Sequence, residues 1–242
     1  MKPAFLKALL QKYNVIIVDI DGTLYYLHPL RLLLFISMGF FALLHPARIR
    51  EFLIIKDYRR LFEKNLFTET GHYESQAYQT LSTKHRTSQE QIKKIIHFWM
   101  ETYPLRFLTL LRDRRLLFIL QQNITEGKTL IAYSDYPIGE KLSALTLDHA
   151  HSFHSDSPEI QCIKPNPAGL QNLLTLFKAP PEKVLYIGDR LKKDGKCALE
   201  SSVDFLLLNQ YSIFRYCWWQ KASFFPFSNN SGSGSSTGKN AE

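Results

Sequence analysis

The sequence predicts an α/β protein built on a Rossmann-like parallel sheet flanked by helices, with an α-helical cap domain inserted after the first strand. Short apolar runs at 15–18, 128–134, 183–189 and 204–209 are separated by segments with helical patterns. Strands that alternate with helices in this way are typical of a parallel sheet. The stretch 25–122 departs from the alternation, because it contains helical patterns and lacks β-branched runs. We therefore expect this stretch to form a separate helical unit.

These patterns divide the chain into a core, an insertion and a tail. The α/β core comprises residues 1–24 and 123–227, and the insertion 25–122 is long enough for a small domain. Residues 228–242 are rich in Ser, Gly and Asn, so we expect a disordered tail. The helices predicted between the core strands cover 138–147, 168–177 and 195–202.

The first apolar run ends in two aspartates, Asp19 and Asp21, one residue apart. Four consecutive apolar residues are typical of a strand buried on both faces of a parallel sheet, and ligands bind at the carboxyl ends of such strands. Gly22 gives the following turn its backbone freedom. Two carboxylates at this position repel each other unless a cation or a proton resolves the conflict. The pair therefore predicts a metal site and a reaction in one place.

Within the insertion, helical patterns occur at 46–65 and 89–103. Residues 32–44 form an uncharged run of thirteen, shorter than the roughly twenty residues that span a membrane. This run predicts either a helix buried in the cap or a surface that contacts a membrane or a protein partner. The aromatic-rich segment 211–227 leaves corresponding alternatives, namely packing on the core or an external contact.

The composition is typical of a soluble globular protein. The 242 residues carry a net charge of +8, and 45% are hydrophobic, as in soluble globular proteins. Three widely spaced cysteines indicate neither a disulfide framework nor a zinc site, and polar residues at 11–14 interrupt the N-terminal apolar patch. We expect a cytoplasmic protein, with peripheral membrane contact through 32–44 as an alternative. Recognisable nucleic-acid-binding motifs are lacking, so no nucleic-acid partner is expected.

Taken together, the strand-end motifs resemble those of the haloacid dehalogenase-like hydrolase superfamily. The resemblance covers about residues 13–209 apart from the insertion, whose position resembles that of the superfamily's helical cap. Each motif alone has low specificity, whereas four in this order are highly specific. The motifs are Asp19-Ile-Asp-Gly-Thr-Leu24, Ser134, Lys164-Pro165, and Gly188-Asp189-Arg190 followed by Asp194.

The resemblance implies a role for each acidic residue. Asp19 is the expected nucleophile, which forms an acyl phosphate, and Asp21 the expected acid and base for the leaving group and the water. Mg²⁺ is the implied cofactor, because it is a hard cation that prefers oxygen ligands. Its expected ligands are Asp19, the backbone carbonyl of Asp21, and Asp189. Asp194 completes or orients this shell.

The other motif residues are implied to handle the phosphate. Ser134 offers a hydroxyl to the phosphoryl oxygens, and Lys164 stabilises both the nucleophile and the transferring group. Asp135 stands where many relatives carry asparagine, and Arg190 is expected to form a surface or inter-helix ion pair. The residues Asp148, His149, His151, His154 and Asp156 are expected to be solvated loop residues and not a metal site.

The expected function is that of a Mg²⁺-dependent phosphatase that hydrolyses a small phosphomonoester through an aspartyl-phosphate intermediate. Its partner is then a small phosphorylated metabolite. Two alternatives stay open: transfer of the phosphoryl group to an acceptor hydroxyl, and a membrane-surface or partner-binding protein with the same fold. Basic residues of the insertion that are candidates for contact with further anionic groups include Arg48, Arg50, Arg59 and Arg60.

Overall fold

A computed structural model describes residues 3–208 and 222–227. Its strands are β1 (Val15–Val18), β2 (Thr129–Ser134), β3 (His151–His154), β4 (Val184–Gly188), β5 (Asp204–Leu208) and β6 (Ala222–Phe225). Among the described residues they form one six-stranded sheet in the order β3-β2-β1-β4-β5-β6. All neighbours pair in parallel except β5 and β6, which are antiparallel. The predicted fold class is confirmed.

Helices flank this sheet and form most of the insertion. The α-helices are α1 (Pro3–Leu10), α2 (Leu27–Leu44), α3 (Ile49–Lys64), α4 (Tyr73–His85), α5 (Gln89–Ile96), α6 (Leu105–Leu111), α7 (Arg114–Thr125), α8 (Lys141–Ala144), α9 (Ala168–Leu176) and α10 (Lys196–Glu200). Shorter segments are the 3₁₀ turns Pro46–Arg48 and Pro181–Lys183 and the π-helical segments His97–Thr102 and Leu191–Gly195.

The sheet is buried on both faces, as the apolar runs predict. In β1, Ile16 and Val18 belong to one apolar cluster, whereas Val15 and Ile17 belong to the cluster on the opposite face. This alternation follows from the two-residue period of a strand. Because helices cover both faces, every residue of β1 is apolar and buried.

Some elements differ from those predicted. Residues 151–154 form the edge strand β3 and not a loop, because an edge strand with an exposed face needs no apolar run. The helix expected at 138–147 is confined to α8. Part of the aromatic segment 211–227 forms β6, in which Phe225 stacks on Phe205 at 6.2 Å between ring centroids. The rest of that segment through residue 221, and the tail 228–242, lie outside the described residues.

A third apolar cluster lies within the insertion, and we call the residues that form it the cap. Its members run from Met38 to Tyr103, and two residues of the core also belong to it, namely Tyr136 after β2 and Ile163 directly before Lys164. Helix α7 begins inside the range 25–122 and ends at Thr125, and it packs on the sheet, since Leu116 and Leu120 belong to the same cluster as β1. The apolar cluster of the cap therefore covers part of the range 25–122, and the division of the chain into domains stays a prediction.

Helix α2 contains the uncharged run 32–44 and is largely exposed. Leu27, Leu30 and Met38 are its buried residues, whereas Leu43 is 82% exposed. One side of α2 therefore packs on the cap, while the other side is exposed, so the helix is only partly buried. By length and composition alone, α2 is apolar enough to cross a membrane.

Asp156 links the core to the cap. Its carboxylate accepts hydrogen bonds from the backbone N–H groups of Tyr73 (2.6 Å) and Glu74 (2.7 Å), the first two residues of α4. Amides at a helix start have no intrahelical acceptor, and the helix dipole favours a negative charge there. This carboxylate therefore fixes the position of α4 against the loop after β3.

We predict that Asp156→Ala lowers the free energy of unfolding by about 1.5–3 kcal/mol, because two charge-assisted hydrogen bonds are lost. Glu159→Ala is the matched control, since Glu159 is an exposed acidic residue of the same loop. Its effect should stay within about 0.5 kcal/mol. Urea unfolding measures both, and equal losses in the two variants would contradict the proposed link.

Candidate active site

The parallel register brings the predicted site residues to one edge of the sheet. Val18, the last residue of β1, pairs with Ala132 of β2 and with Ile187 of β4. The residues that follow these positions are therefore neighbours at the carboxyl edge. Gly22 has a φ of +99°, a conformation that glycine adopts without strain, and the chain turns there into the insertion.

Asp19 lies buried at the centre of this edge. Its Oδ1 accepts a hydrogen bond from Lys164 Nζ at 2.7 Å, and its Oδ2 accepts one from the Thr23 hydroxyl at 3.2 Å. The Asp19 backbone N–H donates to the carbonyl of Ile187 at 2.9 Å, so β4 fixes its position. The carboxylate is thus held from two sides, and it also lines the cavity described below.

Lys164 is fully buried, with its ammonium group between acidic and polar partners. Besides Asp19, Nζ donates to Asp194 Oδ1 at 2.8 Å, to the Tyr186 hydroxyl at 3.0 Å and to the Tyr133 carbonyl at 3.2 Å. Burial acts against the charged form, but Asp19 and Asp194 hold the pKa of Lys164 well above its ordinary value. Lys164 is therefore a permanent positive charge at this site.

Three carboxylates meet beside this lysine. One oxygen each of Asp19, Asp189 and Asp194 lies within 4.8 Å of the others, and all three residues are buried. Burial and the neighbouring acidic charges raise the pKa of Asp19 to about 6 and that of Asp189 to about 8. Burial also acts to raise the pKa of Asp194, but Lys164 and Arg190 outweigh it and lower that pKa. The three buried carboxylates therefore repel one another, and the neighbouring cations offset only part of their negative charge.

Gly188 makes this close approach feasible. A Cβ atom at position 188 would lie 2.6 Å from the Asp194 Cβ, a distance shorter than real contacts allow. Asp194 Oδ2 in turn accepts a hydrogen bond from the Arg190 backbone N–H at 3.1 Å. The glycine of the Gly188-Asp189-Arg190 motif is thus required by the packing of Asp194.

Asp21 occupies a different environment from Asp19. Its Oδ1 accepts hydrogen bonds from the Tyr25 hydroxyl and from Lys141 Nζ, the latter at 3.0 Å. Although burial acts to raise it, the pKa of Asp21 is lowered by Lys141 and Tyr25. Sequence reasoning missed both partners. Tyr25 directly follows the first motif, but Lys141 lies in a short helix without any pattern that marks it.

Ser134 and Asp135 follow the end of β2. The Ser134 hydroxyl oxygen accepts a hydrogen bond from the Tyr136 N–H at 3.1 Å, and the side chain lines the cavity. Asp135 Oδ1 accepts from the Lys164 backbone N–H at 2.9 Å, while Oδ2 pairs with Lys193 Nζ at 3.0 Å. Asp135 therefore positions the chain segment that carries Lys164.

The site opens into a cavity of about 510 Å³ between the sheet edge and the insertion. Arg59 is the one of the four suggested basic residues that lines it, and Arg31 joins it there. The pKa of Arg31 is lowered, first by burial and then by the positive charge of Arg59. The two guanidinium groups therefore repel each other. Residues of the insertion and the core line this cavity together: Asp19, Asp21, Leu27, Arg31, Arg59, Glu63, Ser134, Asp135, Tyr136 and Arg190.

Arg190 joins the core to α3. Its Nη1 donates to both carboxylate oxygens of Glu63, at 3.0 and 2.9 Å. Lys193 Nζ lies 3.5 Å from the same carboxylate and 3.0 Å from Asp135. The expected ion pair of Arg190 is thus present and closes one side of the cavity.

Comparison with known families assigns this chain to a class of hydrolases. Residues 13–199 match the haloacid dehalogenase-like hydrolase family, so the chain belongs to that family. No curated protein matches the sequence significantly. The family resemblance inferred from the four motifs is confirmed.

Solved structures show the same fold at low sequence identity. A 2-haloacid dehalogenase from Pseudomonas syringae pv. Tomato DC3000 is 15% identical, with a TM-score of 0.53 over 80% of this chain and 85% of that one. A dehalogenase in an intermediate complex is 15% identical, with a TM-score of 0.55 over 83% and 87%. The Bacillus subtilis HAD-hydrolase YfnB, solved with magnesium, is 18% identical, with a TM-score of 0.49 over 80% and 87%. The likeness to the two dehalogenases shows the fold alone.

The acidic cluster fits the cofactor that the family resemblance implies. Three carboxylates with an all-oxygen donor set suit a hard divalent cation such as Mg²⁺. The pKa values of Asp19 and Asp189 stay raised despite Lys164 and Arg190, so a further positive charge would favour their ionised forms. The Asp21 side chain lies outside this cluster, which leaves its backbone carbonyl as the group expected to bind metal.

The raised pKa values predict a pH-dependent stability. Asp19 and Asp189 titrate at about 6 and about 8 in the folded protein, above the ordinary value of 3.8. Without divalent metal the folded state therefore holds extra protons between about pH 4 and pH 8, and these carboxylates make stability fall as pH rises through this range. Mg²⁺ replaces those protons, so we expect MgCl₂ to raise the melting temperature more at about pH 8 than at about pH 5.

Asp189→Asn should remove most of the rise in melting temperature that MgCl₂ causes at about pH 8. Glu159→Gln is the control and should keep this rise. Calorimetry with and without MgCl₂ at both pH values measures the effect. An equal gain at the two pH values would contradict the assignment of these carboxylates to the metal.

Proposed function

We propose that the protein is a Mg²⁺-dependent phosphatase that hydrolyses a phosphomonoester through an aspartyl-phosphate intermediate on Asp19. The observation that carries this proposal is the pair of unlike carboxylates at the cavity. Asp19 is held by Lys164 within the acidic cluster, whereas Asp21 is held by Lys141 and Tyr25 outside it. Such a division suits one nucleophile and one proton-transfer group.

In the first step an Asp19 carboxylate oxygen attacks phosphorus, the bond from phosphorus to the alkoxide breaks, and Asp21 gives that alkoxide a proton. In the second step Asp21 takes a proton from a water molecule, which displaces phosphate and restores Asp19. The lowered pKa of Asp21 suits the second step. The proton that Asp21 takes from water in the second step is the one that it gives to the alkoxide of the next substrate, and the Lys141 ammonium at 3.0 Å holds the carboxylate in place.

Charge neutralisation supports the same chemistry. Lys164 offsets the negative charge of Asp19 as an anionic phosphate approaches, and Ser134 at the cavity wall provides a hydroxyl for its oxygens. A Mg²⁺ ion held by Asp19, Asp189 and Asp194 would supply the Lewis acid that shields the nucleophile from the phosphate. All these groups face or adjoin one cavity.

Asp21 also favours phosphate esters over halogenated acids as substrates. A departing halide needs no proton, whereas an alkoxide does. A proton-transfer carboxylate such as Asp21 is therefore unnecessary for dehalogenation but suits ester hydrolysis. Transfer to an acceptor hydroxyl uses the same first step, and product analysis with candidate alcohols separates it from hydrolysis.

The two aspartates predict different kinetic defects. Asp19→Asn removes the nucleophile and should lower kcat on the order of 10⁴-fold or more. Asp21→Asn should lower kcat about 10²- to 10⁴-fold for alkyl phosphates, and much less for aryl phosphates whose leaving group needs no proton. Steady-state assays on both substrate types with MgCl₂ measure these effects. Activity that survives Asp19→Asn unchanged would disprove the proposed nucleophile.

The cavity arginines predict a preference for substrates with a second anionic group. Arg59→Ala should raise KM about tenfold for a phosphomonoester that also carries a carboxylate or second phosphate, because a charge-assisted contact is lost. Arg60→Ala is the matched control, since the adjacent arginine is exposed and does not line the cavity. The two variants should behave alike on a substrate without the second anion. An equal KM effect of both arginines would contradict this contact.

A further inference from the structure

The exposed side of α2 is a continuous apolar surface. Five residues that recur at helical spacing project from one side of the helix, and each is more than half exposed. Monomeric soluble proteins rarely expose apolar surface of this extent without a binding role. These residues are Leu32, Phe35, Ile36, Phe40 and Leu43.

Helix α3 extends the same surface. The rings of Phe35 and Phe52 meet edge to face, with 6.0 Å between centroids, so the two helices are in contact there. Ile49 and Leu53, one turn apart on α3, are also more than half exposed. We call the five residues of α2 together with Ile49, Phe52 and Leu53 the apolar face.

The exposed charges beside the apolar face are positive. Lys56 and Arg60 continue the side of α3 that carries Ile49 and Leu53, at spacings of three and seven residues from Leu53. Among the described residues neither takes part in an ion pair, and the uncharged run of α2 holds no acidic group. The acidic residues of α3 are each paired, Glu51 with Arg48, Asp57 with Lys84, and Glu63 with Arg190.

The opposite side of α2 is fixed to the cap. Met38 is buried, and Phe41 packs against Trp99 and Tyr103 with ring centroids 5.6 and 5.9 Å away. A helix that crossed a bilayer would have to leave these contacts. The apolar face is therefore placed to rest on a surface, with the rest of the protein behind it.

We infer that the apolar face docks on an anionic lipid bilayer. Such a surface accepts apolar side chains at its headgroup boundary and attracts Lys56 and Arg60 by charge complementarity. A second copy of the chain would instead bring like charges to the contact. The bilayer is thus the occupant that matches both the apolar and the charged parts of this surface.

Docking would also place the active site close to lipid headgroups. Leu27 and Arg31 at the start of α2 line the cavity, and Phe35 follows Arg31 by one helical turn, a rise of about 6 Å. The inferred substrate class is therefore a phosphomonoester anchored in the bilayer by an apolar chain. This second part rests on the proposed phosphatase function.

Vesicle co-sedimentation of the full chain tests the docking. Phe35→Glu/Leu43→Glu replaces two residues that are 67% and 82% exposed. The matched control is Phe118→Glu/Leu176→Glu, with residues 56% and 50% exposed on α7 and α9. We expect wild type and control to bind phosphatidylglycerol-containing vesicles, and the α2 variant to bind at least tenfold more weakly. Binding to pure phosphatidylcholine should be weak.

Three results would overturn the docking. One is equal binding of wild type and the α2 variant. Another is retention of wild type in vesicles after alkaline carbonate treatment, which indicates that α2 inserts across the bilayer. The third is a concentration-dependent dimer in light scattering that the α2 variant abolishes while vesicle binding is absent, which assigns the face to a second copy.

Kinetics separate the substrate inference from the phosphatase proposal. Long-chain and short-chain phosphomonoesters with the same headgroup are compared, the former in anionic vesicles and the latter in solution. We expect the α2 variant to lose at least tenfold in rate on the long-chain ester and to keep wild-type rates on the soluble one. Equal rates for wild type and variant on the long-chain ester would overturn the lipid substrate. Inactivity of wild type on both would instead overturn the phosphatase.

Discussion

The active site depends on one buried ammonium group surrounded by carboxylates. Lys164 reaches Asp19 and Asp194 at hydrogen-bond distance, and without it both acids would be buried with uncompensated charge. The lysine offsets part of the charge of the cluster, since Asp19 and Asp189 keep raised pKa values. The three carboxylates are therefore not fully neutralised by the cations around them, and their oxygens are the kind of donor that suits a divalent cation.

The insertion is joined to this site by ion pairs as well as by apolar packing. Glu63 on α3 meets Arg190 directly and lies near Lys193, and both basic residues also approach Asp135. Asp135 in turn holds the backbone of Lys164. A chain of ion pairs and hydrogen bonds therefore connects α3 to the segment that carries the buried lysine. This network makes the cap part of the catalytic environment and not only its cover.

The sequence predicted the site best where an apolar run ends in a polar residue, because this pattern indicates the carboxyl end of a buried strand. Apolar runs that end in Asp19, Ser134 and Asp189 predict a common sheet edge, because the pairing of parallel strands aligns their ends. The contact between Lys141 and Asp21 could not be predicted, because the two residues are distant in sequence and a single lysine in a short helix belongs to no recognisable motif. The run 32–44 left alternatives open because hydropathy measures composition and not exposure. Only the packing of α2 shows which side is covered.

The order of the strands has a consequence for the newly made chain. β1 is synthesised first, but its partners β2 and β4 follow the long insertion, and Lys164 lies 145 residues beyond Asp19. Pairings of this separation form slowly because a large loop must close first. An incomplete chain holds Asp19 and Asp21 without Lys164, without Asp189 and Asp194, and without a finished sheet. The site is therefore complete only after the whole core has folded, and measurable enzymatic turnover indicates a fully assembled core.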